Sequence, residues 1–345
     1  MSEAQVERTP NNRRPLRIAL LFGGPGRERE VSVASAKRVL EALRSRAHEV
    51  TAVDLSVGRM TLMDEERVLG GCEVSERVPE GLCTEGREFR VINDLGPSEF
   101  DIVFLALHGS PGEDGTVQAA LDLKGMPYTG SCFSACVRTY DKHSAKQRLR
   151  VAGIDTPEWI IVRRGESIPD ENGVGFPAVV KPRREGSTIG ISLVHSATDL
   201  ENAVVQARAF CDDVLVERYV GGRELTVGIL NGTALAVGEI LLPPMELFDY
   251  AKKYQVGRVR EDFPAEAPTT LSAEVRRVAL AAHNALELGA YSRVDIRLDA
   301  QSRPWVLEVN SLPGLTQTSL LPQSAFAAGL SFEELCEAIV NRALL

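Results

Sequence analysis

The segment Arg17 to Phe22 (RIALLF) is a short apolar run that ends at Gly23-Gly24, the pattern of a buried parallel strand entering a tight turn. From Val31 to Leu43, residues Val31, Ala34, Ser35, Val39 and Ala42 or Leu43 fall near helical spacing, while Lys37, Arg38, Glu41 and Arg44 can face water. Glu49 to Leu55 returns as a second strand. The chain therefore opens with a βαβ unit of an open α/β sheet.

Asp101 to Leu107 (DIVFLAL) reads as a further buried strand, followed by the loop HGSPGEDG and a helix from Thr116 to about Lys124. Between them, Ser56 to Glu99 mixes Gly, Pro and charge without a sustained period and is expected to be a hairpin-bearing excursion from the sheet. Beyond Tyr128 the pattern changes to α+β. A helix from Asp141 to Ala152 leads to strands near Trp159 and Ala178 to Lys181, a helical stretch Ala197 to Phe210, and strands at Val214 to Tyr219, Glu224 to Leu230 and Ala234 to Leu242. A helix from Ser272 to Leu288, strands at Arg293 to Leu298 and Trp305 to Val309, and further helices complete the chain.

With 345 residues, 44% hydrophobic and 25% charged, the chain can bury the cores of two or three compact units. A formal charge of -9 disfavours a polyanion-binding surface, so no nucleic-acid partner is expected. No run of about 18 apolar residues provides a membrane span, and the polar start lacks the apolar core of a signal peptide; the expected address is cytoplasmic, with no membrane partner. The six cysteines show no CxxC spacing and read as reduced thiols.

Two clusters carry chemistry. The loop Lys181 to Gly190 (KPRREGSTIG) joins a lysine to glycines and hydroxyls; glycine lets main-chain N–H groups approach phosphate oxygens, although a plain surface turn has the same composition. Asp295, Glu308 and Asn310 lie on two neighbouring strands, and Glu308 and Asn310 share one face at period 2. Three oxygen-bearing side chains gathered there suit Mg2+, against the alternative of a solvated sheet edge.

These features resemble the ATP-grasp fold, and the motifs narrow the match to the D-alanine:D-alanine ligase family from about Arg17 to the C-terminus. They are GGPGREREVS, ALHGSPGEDGTVQ, PYTGS, DK, VVKPRREGSTIG, VERYVGGRELTVGIL, FDYAKKY, SRVDIRLD and LEVNSLPGLTQTSLLP, in that order. The polar start at 1–14 reads as a disordered tail, and the resemblance implies an N-terminal α/β substrate-binding domain at 15–127 and an ATP-grasp fold of two subdomains, central at 128–222 and catalytic at 223–345.

It also implies an ATP-dependent ligase that joins two D-alanines through a D-alanyl phosphate for peptidoglycan precursors. ATP and Mg2+ are the expected cofactors, with Mn2+ able to substitute, and the expected assembly is a homodimer. By the same resemblance Lys142, Lys181, Gly186, Glu217, Val220, Glu224 and Lys253 bind ATP, and Asp295, Glu308 and Asn310 hold the metal. Glu28 receives the ammonium of the first D-amino acid, with His108 nearby, and Ser319 and Leu320 form the second-substrate pocket. Arg293 and the Gly314 N–H are donors for the tetrahedral oxyanion. Tyr254, on a closing loop, reaches Ser187 and thereby Glu28.

Each residue also has a plain structural use: Glu28 as charge compensation at a helix start, His108 as a structural histidine, Arg293 in a strand salt bridge, Pro313-Gly314 as an ordinary turn. Tyr254 in the closing loop points to an amine nucleophile, since family members that accept D-lactate differ there; D-serine stays open as the second substrate. Two other classes stand beside this reading. Gly23-Gly24-Pro25-Gly26 with Asp54 loosely mimics a dinucleotide-binding oxidoreductase, and a silent ATP-grasp homologue would bind nucleotide without ligating.

Overall fold

The structure is a computed structural model that describes residues 14–71, 74–75, 79–81, 86–167, 173–243, 245–255 and 257–345. The expected tail at 1–14 lies outside these residues except for Arg14, which pairs with Asp101 at 3.3 Å.

The chain begins with β1 (Arg17–Phe22), α1 (Arg29–Ser45), β2 (Glu49–Asp54) and β3 (Gly58–Arg59). It continues through α2 (Leu62–Gly70), α3 (Arg87–Asn93), β4 (Ile102–Leu105) and α4 (Thr116–Leu123). The first sheet has the order β3-β2-β1-β4; β1 runs parallel to β2 and β4, with Phe22 opposite Asp54 and Leu21 opposite Leu105. All five residues from Ile18 to Phe22 are buried, which is why no period-2 alternation marks this strand. The loops after β1 and β4 leave from one edge of the sheet, where an open parallel sheet presents ligands.

Among the described residues of 56–99 the expected hairpin is the short one in which two-residue β3 folds back on β2, and the rest is carried mainly by two helices the sequence did not announce, α2 and α3. The capping box of Thr61 and Asp64 holds α2, which buries little besides Glu65 and Leu69. A helix so short and so charged leaves no apolar period to read.

Next come α5 (Phe133–Tyr140), α6 (Lys142–Val151), β5 (Trp159–Val162), β6 (Ala178–Pro182), β7 (Ser192–Val194), α7 (Ala197–Arg208) and β8 (Val214–Arg218). The helix expected from Asp141 is preceded by another, α5, which Arg138 and Tyr140 disguise. Asp141 separates the two: its backbone leaves the helical region, and its carboxylate caps α6 by accepting the Ser144 N–H at 3.1 Å. The second sheet, β5-β8-β6-β7, is antiparallel.

The last part contains β9 (Glu224–Leu230), β10 (Thr233–Leu241), α8 (Tyr250–Tyr254), β11 (Arg260–Asp262), α9 (Thr269–Ala285), β12 (Tyr291–Leu298), β13 (Pro304–Asn310), α10 (Leu320–Ala327) and α11 (Phe332–Ala343). Its sheet, β11-β10-β9-β12-β13, is antiparallel throughout, and α9 covers one face. The C-terminal helices return to the beginning of the chain. Leu321, Leu335 and Ile339 share a core with Ile18, Leu43 and Phe104, so the first sheet and the end of the third unit are packed as one body.

Candidate active site

Two adjoining clefts lie between the sheets. The first, of about 650 Å³, is lined by Lys181, Glu217, Val220, Glu224, Lys253, Asp295, Arg297 and Glu308, with Phe248 and Leu307 as apolar walls. The second, of about 540 Å³, is lined by Glu28, His108, Gly186, Ser187, Tyr254, Arg293, Asn310, Gly314, Ser319 and Leu320. Lys253 and Phe248 face both. Each cleft has the size of a small-molecule site.

Strand register assembles the first cleft. Glu217 on β8 stands opposite Val179 on β6, and Lys181, two residues along, projects from the same face. The Lys181 ammonium binds the Glu217 carboxylate, and Lys146 reaches its other oxygen at 2.8 Å. On the facing sheet Glu224 stands opposite Arg297, which donates to it from Nη2 at 2.7 Å and to the Val220 carbonyl from Nη1 at 3.3 Å. Burial raises the Glu224 carboxyl above its ordinary value, and the Arg297 guanidinium only partly opposes this.

Asp295 and Glu308 are directly opposed on β12 and β13, with a register shift just after Asp295. Asn310 stands opposite Arg293 and donates from Nδ2 to Asp295 Oδ2 at 3.2 Å. Arg293 grips Asp295 with two parallel bonds, and Thr226 donates to it at 2.7 Å. Burial opposes ionisation of Asp295, yet Arg293 and Lys253 together hold it below the ordinary carboxylate value. Two carboxyl groups and an amide on adjacent strands are the hard-oxygen residue types that Mg2+ takes, and to hold the ion Asp295 would share oxygens now bonded to Arg293 while Asn310 turned its amide oxygen inward.

The second cleft is organised around Glu28. Although Glu28 occupies the N-cap of α1, its side chain makes no cap bond. The carboxylate is instead enclosed by two glycines. A Cβ on Gly109 would lie 2.8 Å from Glu28 Oε2, and one on Gly186 2.7 Å, so a side chain at either position would push the carboxylate aside. Burial, with Glu113 nearby, raises Glu28 to about 7, while the Ser187 hydroxyl and His108 work in the opposite direction.

Ser187 donates its hydroxyl to Glu28, and its oxygen lies 2.7 Å from the Tyr254 hydroxyl. Thr188 ties the same loop to the Phe248 carbonyl at 2.7 Å. The lysine-glycine loop and the 248–254 segment therefore meet over the cleft. Buried beside Glu28, Tyr254 is held well above the ordinary phenol value and stays protonated. His108 bonds Ser35 Oγ at 3.0 Å through Nε2, with Glu113 3.7 Å from its Nδ1.

The glycine turn after β1 serves no dinucleotide. Asp54, the acid that such a site needs for a ribose, is fully buried, held by Arg29 and by the Ser56 N–H at 2.8 Å.

The D-Ala–D-Ala ligase N-terminal family model matches residues 17–131, and the C-terminal model of the same family matches residues 149–341. The chain belongs to the D-alanine–D-alanine ligase family. A relative from Methylacidiphilum infernorum, a D-alanine–D-alanine ligase, is 37% identical over 95% of both chains. Another, from Geobacter sulfurreducens, is 39% identical over 95% of this chain and 94% of its own. Among solved structures, the Bacillus anthracis D-alanine–D-alanine ligase complexed with ATP superposes with a TM-score of 0.74 at 29% identity, covering 95% of this chain and 97% of that one. The Enterococcus faecalis D-Ala:D-Ser ligase gives 0.77 at 25% identity, covering 96% and 100%.

Within this ligase, most of the residues picked from the sequence line the two clefts. Lys142 is set differently: it donates to the Glu185 carbonyl and lines a recess with Glu113, Glu308 and Asn310, at the junction of the clefts. A Cβ on Gly314 would lie 2.5 Å from Ser319 Oγ, so a side chain there would force the Ser319 hydroxyl to move. The Ser319 hydroxyl is turned to its own loop, accepting the Thr316 N–H at 3.0 Å, and Leu320 packs with Ile240 and Phe248.

Lys146, Arg297 and Glu113 were not picked from the sequence. Arg297 was within reach, because Arg293, Asp295 and Arg297 alternate along β12 as one charged face. Lys146 had no such signal: its partner Glu217 is distant in sequence and on another element.

Proposed function

We propose that the chain is an ATP-dependent ligase that condenses two D-alanine molecules to D-alanyl-D-alanine, a building block of peptidoglycan, through a D-alanyl phosphate. The observation that carries the reading is the junction of the clefts. Lys253 faces both, and Asp295, Glu308, Asn310 and Arg293 lie along the same edge. A nucleotide in the first cleft thus presents its terminal phosphate to an amino acid in the second.

In this reading Lys181 and Lys253 neutralise phosphate oxygens, with Lys142 at the junction and the main chain of Gly186 close to the phosphates; Val220 and Glu217 border the base and Glu224 the ribose. Asp295, Glu308 and Asn310 would hold Mg2+, or Mn2+ in its place. The ion, when bound, offsets the repulsion between two anions. Glu28 takes the ammonium of the first D-alanine and so aims its carboxylate at the γ-phosphorus. Attack there forms the acyl phosphate and releases ADP.

The second D-alanine, placed by Ser319 and Leu320, attacks the acyl carbonyl through its free amine. Arg293 and the Gly314 N–H stabilise the oxyanion, and its collapse expels phosphate. The contact of Ser187 with Tyr254 keeps water from the acyl phosphate. The division at 15–127, 128–222 and 223–345 assigns the first substrate to the first unit and the nucleotide to the other two.

An assay of Mg-ATP turnover with D-alanine alone, then with D-serine or D-lactate added, tests the reading. D-alanine alone should give ADP and a dipeptide. ADP release that ignores every D-amino acid would leave only a nucleotide-binding homologue.

A further inference from the structure

Lys146 is a fully buried lysine outside the lining of both clefts. It stands on α6 four residues after Lys142, on the same helix face. Its ammonium lies 2.8 Å from Glu217 Oε2, 2.7 Å from Thr156 Oγ1 and 5.2 Å from the centre of the Trp159 ring. The ion pair with Glu217, the hydrogen bond to Thr156 and the Trp159 ring hold the ammonium beside Glu217, outside the lining of the first cleft. Burial lowers it to about 8, and the Glu217 carboxylate opposes that fall, so it remains charged at neutral pH.

Glu217 is correspondingly shared. One oxygen receives Lys146 and the other Lys181, which does line the cleft. A buried carboxylate facing a single lysine forms a neutral pair, and a lysine so paired has little charge left for a ligand. With Lys146 behind it, the group of three carries one net positive charge, and that charge is exposed to the cleft only through Lys181.

We infer that Lys146 is a positioning residue that compensates Glu217 from behind the nucleotide cleft and thereby leaves the Lys181 charge free for a ligand's phosphates. The inference rests on the first cleft being the nucleotide site. Lys146 itself touches no ligand in this arrangement; its effect reaches the phosphates through Glu217 and Lys181.

The test compares the dissociation constants of ATP and adenosine for the wild-type protein, Lys146→Met and the double variant Lys146→Met/Glu217→Gln, with folding of each checked by circular dichroism. Adenosine has no phosphates and so reports any damage to the cleft alone. In Lys146→Met the preference for ATP over adenosine should fall by roughly tenfold, the scale of one partly screened charge pair. The double variant, in which Lys181 again has no carboxylate to neutralise, should recover the wild-type preference to within about twofold.

Equal weakening of ATP and adenosine in Lys146→Met would overturn the inference, because a merely structural lysine does that. A double variant that stays tenfold low would overturn it too, since Lys146 would then act on the phosphates directly. If Lys146→Met does not fold, Lys146→Gln, which keeps a polar partner for Thr156, is measured in its place by the same criterion. Failure of the wild-type protein to bind ATP would instead refute the proposed function, a distinguishable result.

Discussion

Arg293 and Asp295, two residues apart on one strand, are joined by two parallel bonds, Nε to Oδ1 at 2.9 Å and Nη2 to Oδ2 at 2.8 Å. The pair does two things at once: it holds Asp295 ionised, and it fixes Arg293 at the wall of the second cleft.

Replacing Arg293 by Ala should therefore lower dipeptide formation by about 100- to 1,000-fold, the usual effect of losing an oxyanion donor. Nucleotide binding should change far less, because Asp295 and Glu308 remain and Asp295 loses a competing cation. Steady-state turnover beside direct ATP titration measures both quantities; equal losses would remove Arg293 from its assigned role.

Glu28 has a pH signature. Burial places its carboxyl at about 7 in the free protein, above the ordinary 4.5, and a neutral carboxyl cannot pair with an ammonium. The kcat/KM for the first D-alanine should rise with pH through about 7 and then level off. Stability moves in the opposite sense: a raised acid contributes most below 4.5, and that contribution, about 3 kcal/mol at most, is lost as pH rises through about 7. Glu28→Gln should accordingly be inactive yet melt higher than the wild type at pH 8, with the difference shrinking towards pH 5. A kcat/KM flat from pH 5.5 to 8 would contradict the assignment.

Ser187 connects Glu28 to Tyr254. In Ser187→Ala the closing segment loses its hydroxyl link, and water gains access to the acyl phosphate. Dipeptide formation should drop by about ten- to a hundredfold, since a hydrogen bond to a charged group is worth about 1.5 to 3 kcal/mol. Phosphate release should fall less, so that more than one phosphate appears per dipeptide. Simultaneous assay of both products gives the ratio, and a ratio unchanged from wild type would mean that closure does not depend on Ser187.

What could be read from the sequence depended on how local its physical cause was. The first strand, with every residue from Ile18 to Phe22 buried, and the shared face of Glu308 and Asn310 follow from neighbouring residues alone. The contact of Glu28, Ser187 and Tyr254 was implied by the family resemblance rather than by any neighbouring residues. The helices within 56–99 escaped because each is short and buries only two residues, α2 relying on its capping box and α3 on Val91 and Ile92, so neither shows an apolar stripe. Lys146 escaped for a different reason: a buried lysine looks like a solvated one until the fold brings a distant carboxylate beside it. Gly109 and Gly186 could be seen as glycines, but only packing reveals that both make room for the same carboxylate.

In the proposed reaction a D-alanine carboxylate attacks ATP before the peptide bond forms. D-alanine labelled with 18O in its carboxyl group, turned over with Mg-ATP and analysed by mass, tests this most directly. D-Alanyl-D-alanine should form together with inorganic phosphate that carries one 18O from the first substrate. Dipeptide accompanied by unlabelled phosphate, or labelled D-alanine recovered unchanged while ATP is consumed, would contradict it.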